Sequence, residues 1–466
     1  MQFSAHNEQN LPLEKFESML KTNDVYFFDT EDFEDIIHHY LNNGKISLAK
    51  KAINIGLEQH PTSSELKLLK VEVMVFENRL DDAEQLLSEI ASIEITNEEV
   101  YIQKANIYSK KEDHSSAIEM LKLALSYTDD GSDIYSLLGM EYLFLDNYVL
   151  AKDNFIKCIE QDPEDYPALY NAIYCFDNLE DTQGAIDFLN KYLDKNPYCE
   201  VAWHQIGKQF FTEKRYKEAI AAFDFAIYSD DTFIGAYIEK GKVLEKIKRY
   251  NEAIENYEVT LQLEDPTSFA LLRIGKCHEK LGNLDLAKEY FYKTVHEDPL
   301  LDKGWIAITD FYVRQDNYRK ALYYINKAIN IDTENVHYWK RSAFIHLKLH
   351  FYEEADLAYK KTVELGNYEL DTWTAWTDVL IKLGEYNSAI QCLKQALEFY
   401  PSEAVLEYRL SAIYYMLGDA IEGSQHLKVA LKTGYRHLKN MTESFPSVFS
   451  RNTVKNIITN FQKASN

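Results

Sequence analysis

The stretch from Trp203 to Phe223, WHQIGKQFFTEKRYKEAIAAF, carries a spacing of small and aromatic residues that returns along most of the chain. Its alanine, Ala219, belongs to a series of small residues spaced 34 positions apart. The members of the series are Ala49, Ala83, Ala117, Ala151, Ala185, Ala219, Ala253, Ala287, Ala321, Ala355, Ala389 and Gly423. An apolar or aromatic residue follows every member after four positions, as Phe223 follows Ala219. This regularity indicates an internal repeat.

Other positions show how each repeat is expected to fold. Counted from Thr30 to His437, twelve repeats, numbered 1 to 12, cover 408 of the 466 residues. Trp recurs at position 4, Gly or another small residue at position 8, Gly at position 15, where it suits a helix-ending turn, and Pro at position 32, where it stops a helix. Each repeat is therefore predicted to be helix, tight turn, helix and stop. The residues are Trp203, Trp305, Trp339 and Trp373; Gly139, Gly207, Gly241 and Gly275; Gly44, Gly282, Gly384 and Gly418; and Pro61, Pro163, Pro197, Pro299 and Pro401.

With these residues the chain resembles the tetratricopeptide repeat family, whose pattern runs W-x2-L-G-x2-Y, A-x3-F and P. The resemblance implies an all-α fold: a tetratricopeptide repeat α-solenoid, wound as a right-handed superhelix of about twelve antiparallel helix hairpins. It also implies that positions 2, 5, 9 and 12 of the first helices face a concave groove in which partners bind. Two repeats depart from the pattern. Repeat 2 has Lys67 and Lys70 at apolar positions, and repeat 12 has Glu407 at the Trp position and Gly423 at the Ala position.

The ends of a solenoid need covering, because an open end would expose apolar surface. Residues 438–466 are expected to provide a capping helix, since Val454, Ile457, Ile458 and Phe461 recur there at helical spacing. Residues 1–29 form an extension in which Leu13, Phe16 and Leu20 mark a short amphipathic segment. The first residues, MQFSAHNEQN, lack the basic and apolar regions of a signal peptide, so we expect none.

Composition restricts the class of partner. The net charge of -25 opposes binding to a phosphate backbone, and no uninterrupted apolar run is long enough for a membrane span, so neither nucleic acid nor a membrane is expected as a partner. Five Cys without a C-x-x-C pair favour a reduced, cytoplasmic location. Residues 1–200 hold 39 acidic and 16 basic residues, a net of -23. This acidity either solvates the surface or matches a basic partner.

No sequence motif points to catalysis. The common phosphate-binding, dinucleotide, nucleophile-elbow and zincin motifs are absent, and only 58 residues lie outside the repeats, so no enzyme activity and no cofactor are expected. His346 and His350 lie four apart, as two zinc ligands on one helix face would. Because position 11 is an ordinary core position, held by Tyr312 and Tyr414 in other repeats, a structural role for His346 is favoured and no metal is expected. Cys158 and Cys392 are expected to be inert core residues.

Six residues are candidates for partner binding. Lys208, Lys242 and Lys276 occupy position 9 in three successive repeats, so stacking is expected to align them. They form either an anion-recognising row or a row neutralised by Glu245 and Glu279 as i,i+3 pairs. Aromatic contacts are expected from Tyr170, Tyr174 and His204, at positions 5, 9 and 5 of their repeats.

The favoured function is a non-enzymatic scaffold or adaptor that holds a protein or peptide segment in the groove, with acidic groups of that segment at the lysine row. The alternative is a sensor in which a bound peptide or metabolite changes the superhelical pitch. A nucleic-acid-binding array of the related 35-residue type is disfavoured by its period and by the sign of the charge.

Overall fold

The computed structural model describes residues 11–22, 26–263 and 267–465, and these residues form helices, turns and loops without a strand. Residues 1–10, on which the expectation of no signal peptide rests, lie outside the described ranges. The predicted all-α fold built from helix hairpins is confirmed. The right-handed winding stays a prediction. In the described part of the chain, no helix combines the length and the apolar character needed to cross a membrane.

Both helices of every repeat begin at a constant position. The first helices start at position 1 and are Thr30–Asn42, Ser64–Phe76, Glu98–Lys110, Ser132–Phe144, Tyr166–Asn178, Glu200–Thr212, Ile234–Lys246, Ser268–Leu281, Asp302–Arg314, Val336–Lys348, Leu370–Leu383 and Ala404–Leu417. The second helices start at position 17 and are Ile46–Gln59, Leu80–Ala91, His114–Ala124, Tyr148–Gln161, Thr182–Lys195, Tyr216–Ser229, Tyr250–Leu263, Leu284–Glu297, Tyr318–Ile331, Tyr352–Glu364, Tyr386–Phe399 and Ala420–Gly434.

The turn between the two helices passes through the left-handed region at position 15 of all twelve repeats. Four of these residues are the glycines predicted from the sequence, with φ between +67° and +87°. The other eight are Asn78, Glu112, Asp146, Glu180, Lys214, Lys248, Asp316 and His350, with φ between +54° and +64°. Since a side chain disfavours this region by about 1–2 kcal/mol, the packing of the helix pair imposes the turn even where the local residue opposes it.

Close packing inside each hairpin explains the small residues. The alanines at position 20 of repeats 1 to 11 are fully buried. A Cβ added to Gly207 would lie 2.6 Å from the ring of Phe223, and one added to Gly139 would lie 2.5 Å from Phe155. The ring at position 24 therefore rests directly on the backbone at position 8, as the predicted close approach of the two helices requires.

The tryptophans at position 4 join successive repeats by hydrogen bonds. The Trp203 indole N–H donates to the carbonyl of Pro197 at 2.8 Å, and the Trp305 indole N–H donates to that of Pro299 at 2.9 Å. Proline at position 32 therefore ends the second helix of one repeat and leaves a carbonyl for the first helix of the next.

The chain divides into two compact units, residues 1–236 and 237–466. In the first unit, the helix Leu11–Lys21 places Phe16 in the core of repeat 1, where its ring centroid lies 5.9 Å from that of Phe28 and 6.2 Å from that of Phe33. This helix thus covers the outer side of repeat 1. In repeat 2, the helices keep the common register, and Lys67 and Lys70 are half-buried.

In the second unit, the segment after repeat 12 is more divided than the single capping helix expected over 438–466. It forms Leu438–Ser444 and Pro446–Phe449 before the helix Asn452–Ser465. Pro446 starts the second of these short helices, because a proline is accepted at a helix's first position. Val454 is fully buried against the core of repeat 12, and Ile457, Ile458 and Phe461 pack beside it.

Repeat 12 has Glu407 in place of the usual Trp and Gly423 in place of the usual Ala. Each of the two residues makes a contact within the hairpin. The carboxylate of Glu407, a buried side chain, lies 2.6 Å from His426 Nδ1 on the second helix of the same repeat. A Cβ on Gly423 would lie 2.9 Å from the ring of Tyr415. These residues keep the last hairpin closed without the standard pattern.

Candidate partner-binding surface

Positions 5 and 9 of the first helices are the candidate positions that the repeat implies, and together they are called the first-helix surface below. At position 5, Leu68, Leu272 and Tyr408 are buried. Tyr170 and Tyr174, at these positions of repeat 5, leave 42% and 52% of their area exposed. The Tyr174 ring meets the edge of Tyr148 with a centroid distance of 6.3 Å. Burial raises the pKa of Tyr170, partly offset by a hydrogen bond with Gln205. Both tyrosines therefore offer ring area at the surface.

Two further apolar residues extend this surface in repeat 4. Met140 is 36% exposed and Phe144 is 56% exposed. The Asn171 amide of repeat 5 approaches the Met140 sulfur at 3.6 Å, which links the two repeats. Sequence reasoning missed Met140, although it holds position 9, the position that singled out Tyr174 one repeat later. Met140, Phe144, Tyr170 and Tyr174 are called the aromatic patch.

His204 does not extend the aromatic patch as expected. Its side chain is buried, and its ring centroid lies 5.9 Å from that of Phe223 and 5.3 Å from that of Phe233. The histidine fills space between the helices of repeat 6 and the start of repeat 7. Position 5 faces outward in repeat 5 but inward here, because Phe233 and Phe223 cover it.

The three lysines of the predicted row differ in environment. Lys208, in the first unit, is exposed. Lys242, in the second unit, is half-buried, with its ammonium 2.7 Å from Glu239 Oε1 and 5.4 Å from the centroid of the Phe269 ring. The alignment of Lys208 with the other two stays a prediction.

Lys276 lies half-buried near two other cations, Arg273 and Lys303. Burial, together with these two cations, lowers the pKa of Lys276, while Glu245 and Asp310 oppose this. Among the described residues, no carboxylate forms an ion pair with it. A partly buried ammonium in this position favours an incoming anion, because the anion would offset the cost of burying the charge.

The alternative in which Glu245 and Glu279 neutralise the lysines as i,i+3 pairs is wrong. Glu245 Oε1 accepts from Arg273 Nε of the next repeat at 2.7 Å and from the Tyr257 hydroxyl at 2.7 Å. Glu279 lies 2.6 Å from Arg314 Nη2, also of the next repeat. A guanidinium from the neighbouring repeat meets each carboxylate more directly than the lysine on its own helix.

The acidity of the first 200 residues reaches the first-helix surface. Burial raises the pKa of Glu34, at position 5 of repeat 1, and the neighbouring Glu65 raises it further, whereas His38 lowers it. Carboxylates are thus crowded at this end. Solvation and a basic partner both stay open as explanations.

The histidine pair does not form a helix-face metal site. The first helix of repeat 10 ends at Lys348, and His350 follows in the left-handed turn with φ +61°. His346 Nδ1 lies 3.3 Å from Ser342 Oγ, whereas His350 Nδ1 lies 2.9 Å from the Tyr352 hydroxyl. The two imidazoles therefore have separate partners, because the helix needed for i,i+4 geometry has already ended.

The cysteines are core residues. All five are buried and free. Burial raises the pKa of the Cys158 and Cys392 thiols to about 12. Such thiols stay protonated at neutral pH and are poor nucleophiles.

Two sequence models, both described as tetratricopeptide repeat, match segments of the chain. One matches residues 167–197 and 269–300, and the other matches residues 98–130, 132–165, 234–259 and 378–403. The chain contains tetratricopeptide repeats. The matched segments fall in repeats 3, 4, 5, 7, 8 and 11.

Curated relatives match a shorter region. BBSome complex member BBS4 of Bos taurus is 31% identical over 134 residues, which is 28% of this chain and 25% of that protein. The BBSome complex member BBS4 homolog of Drosophila melanogaster is 24% identical over 127 residues, 27% of this chain and 26% of that protein. The chain thus spans about a quarter of the length of these relatives.

Solved structures to which the chain is similar include the APC/C hetero-tetramer Cut9-Hcn1. It is 17% identical, with 86% of this chain and 90% of that chain covered and a TM-score of 0.38. A tetratricopeptide repeat protein from Parabacteroides merdae is 14% identical. The match covers 53% of this chain and 98% of that chain, with a TM-score of 0.41.

Proposed function

We propose that this tetratricopeptide repeat protein is a non-enzymatic scaffold or adaptor that holds an acidic segment of a partner protein on its first-helix surface. The observation that carries the proposal is the environment of Lys276, a half-buried ammonium for which an incoming carboxylate would provide the missing neutralisation. The bovine relative is a member of a protein complex by its name, which agrees with a role in assembly.

The aromatic patch would supply contact area, while the lysines would set the orientation of the bound segment. Exposed aromatic rings are frequent anchors at protein interfaces, and charges act more on specificity and association rate than on affinity. Lys242 already contacts Glu239, so it would contribute less than Lys276. Lys208 is exposed and would act as a surface charge.

We also propose a cytoplasmic location. This location and the lack of enzyme activity are argued from the cysteines and from His346, whose side chains are buried or half-buried. The Cys158 and Cys392 thiols are buried with raised pKa values, and all five cysteines are free, as a reducing compartment favours. His346 is half-buried beside Ser342 and serves packing.

Affinity capture from an extract of the native source tests the proposal. The bait is the wild-type protein beside a variant with Lys208→Glu, Lys242→Glu and Lys276→Glu, and mass spectrometry reads the partners. We expect acidic partners to be depleted by well over tenfold with the variant, because three modest attractions are replaced by repulsion. The control is Lys428→Glu, an exposed residue on the second helix of repeat 12. Unchanged partner abundance, with helix content preserved by circular dichroism, would refute the role of the row.

A further inference from the structure

One tryptophan is not explained by the repeat. Trp376 occupies position 7 of repeat 11, where the repeat pattern has Leu. Its indole N–H donates to Asp356 Oδ1 at 2.6 Å, on the second helix of repeat 10. Trp376 therefore faces the space between the second helices of repeats 10 and 11 instead of only filling the hairpin core.

That space is a cleft of about 980 Å³. It is lined by the second helices Tyr352–Glu364 and Tyr386–Phe399 and by the first helix of repeat 11. The helix Tyr352–Glu364 has 13 residues, against 14 in the second helices of repeats 9 and 11, and Gly366 then turns the chain with φ +96°. The cleft, called the repeat 10–11 cleft, reaches the upper end of the usual size range of ligand sites.

One wall of the cleft is a set of nearly parallel aromatic rings. The Tyr368 and Phe399 rings stack with a centroid distance of 4.3 Å and an interplanar angle of 14°. The ring centroid of Phe399 lies 6.2 Å from that of Trp373, and the ring centroid of Trp373 lies 5.9 Å from that of Trp376. Tyr368 and Phe399 remain 42% and 49% exposed, so their rings are accessible from solvent.

The remaining lining is acidic. Among the residues that the structure describes, one cation, Lys360, lines the cleft beside five carboxylates, which are Glu353, Asp356, Glu364, Glu385 and Glu398. Glu364 Oε2 forms an ion pair with Lys361 Nζ at 3.8 Å, and Asp356 accepts the hydrogen bond of the Trp376 indole. In the described ranges of the chain, no Lys or Arg forms an ion pair with Glu353, Glu385 or Glu398. The cleft therefore combines aromatic faces with carboxylates whose charge is not neutralised.

We propose that the repeat 10–11 cleft binds an arginine side chain from a basic segment of a partner protein. A guanidinium stacks on aromatic faces through its plane and pairs with carboxylates through its edge, so it uses both features of the lining at once. The proposal goes beyond the function proposed above, which concerns an acidic segment on the first-helix surface. The cleft lies on the second-helix side of repeats 10 and 11, and neither site depends on the other.

Isothermal titration calorimetry with a synthetic arginine-rich peptide tests the proposal. The matched peptide replaces every arginine by citrulline, which keeps the shape and removes the charge. We expect saturable binding of the arginine peptide, and binding of the citrulline peptide weaker by about tenfold or more. Absence of saturable binding, or equal affinity for both peptides, would overturn the proposal.

Two variants then locate the site. Trp376→Leu restores the pattern residue and should weaken binding by about tenfold, and Glu398→Gln, at an exposed position, should weaken it about threefold. The control is Glu334→Gln, an exposed carboxylate outside the cleft, which should change nothing. Wild-type affinity in both cleft variants would show that the peptide binds elsewhere on the acidic surface. Tetramethylammonium is titrated in the same way. If it binds as tightly as the peptide and its binding also depends on Trp376, the cleft binds a small ammonium ligand, and the proposal of an arginine side chain is refuted.

Discussion

At the residue scale, the charge of Lys276 is expected to have opposite effects on stability and on binding: it destabilises the folded state and favours an acidic partner. Burial lowers the pKa of Lys276, so its charged form costs stability in the folded state. In the range between the lowered pKa and the usual value of 10.5, the unfolded state binds more protons and stability rises with pH. Below the lowered pKa the ammonium is charged in both states, and the full cost of burying the charge remains.

We therefore predict that Lys276→Met raises the Tm by about 1–2 °C at neutral pH. The same variant should weaken an acidic partner about fivefold, because one charge pairing is lost. Thermal unfolding and a binding titration measure the two effects. A residue with a purely structural role would not combine a gain in stability with a loss in affinity, so a fall in both would contradict the assignment.

His346 gives a second prediction at this scale. Burial lowers the pKa of His346 below its usual value of 6.5. As the pH falls below 6.5, the unfolded state takes up a proton before the folded state does. The free energy of unfolding therefore decreases until the pH reaches the lower pKa of the folded state. Replacing His346 by Tyr, the residue at position 11 in repeats 9 and 12, should reduce the fall in Tm between about pH 7 and pH 5 by about 1 °C. An identical pH dependence in the variant would refute this role.

At the element scale, the close approach of the two helices in a hairpin predicts a specific sensitivity. Gly207→Ala should lower the free energy of unfolding by about 1–3 kcal/mol, because the new Cβ would lie 2.6 Å from the Phe223 ring. The matched control is Gly235→Ala, also helical, where the nearest atom lies at 3.4 Å and the change should be neutral or stabilising. Denaturant unfolding measures both. Combining Gly207→Ala with Phe223→Leu should cost less than the sum of the single changes.

The same scale shows how far sequence reasoning reaches. The glycines at position 15 predicted a helix-ending turn in four repeats, and the structure shows a left-handed residue at this position in all twelve. Residues such as Lys214 and His350 give no local sign of it, because the packing of the hairpin overrides their own preference. The pairing of Glu245 with Arg273 was missed for a related reason. An i,i+3 rule considers one helix, whereas the partner lies on the neighbouring repeat.

The candidate site was predictable where it depends on position within the repeat. Position 9 identified Tyr174 and Lys276 and would have identified Met140. Position alone did not reveal that His204 is buried, since Phe233 of the following turn covers it. The repeat 10–11 cleft was marked in the sequence only by Trp376, the one tryptophan outside position 4.

At the scale of the whole molecule, each repeat gains stability mainly from its neighbours, so a weak repeat should open by itself. Repeat 2 has half-buried Lys67 and Lys70, a second helix of only 12 residues, and Ile93 and Ile95 exposed by 77% and 65%. We predict faster amide hydrogen exchange in residues 64–97 than in residues 200–330. Equal protection of the two regions would contradict a local weak point.

The central claim is that a partner segment lies along the first helices, and hydrogen exchange of the captured complex tests it most directly. Binding should increase protection in the first helices Tyr166–Asn178, Ile234–Lys246 and Ser268–Leu281, which carry the tyrosines of the aromatic patch, Lys242 and Lys276. The second helices of the same repeats should change little. Protection confined to the second helices, or no change in residues 268–281, would contradict the account.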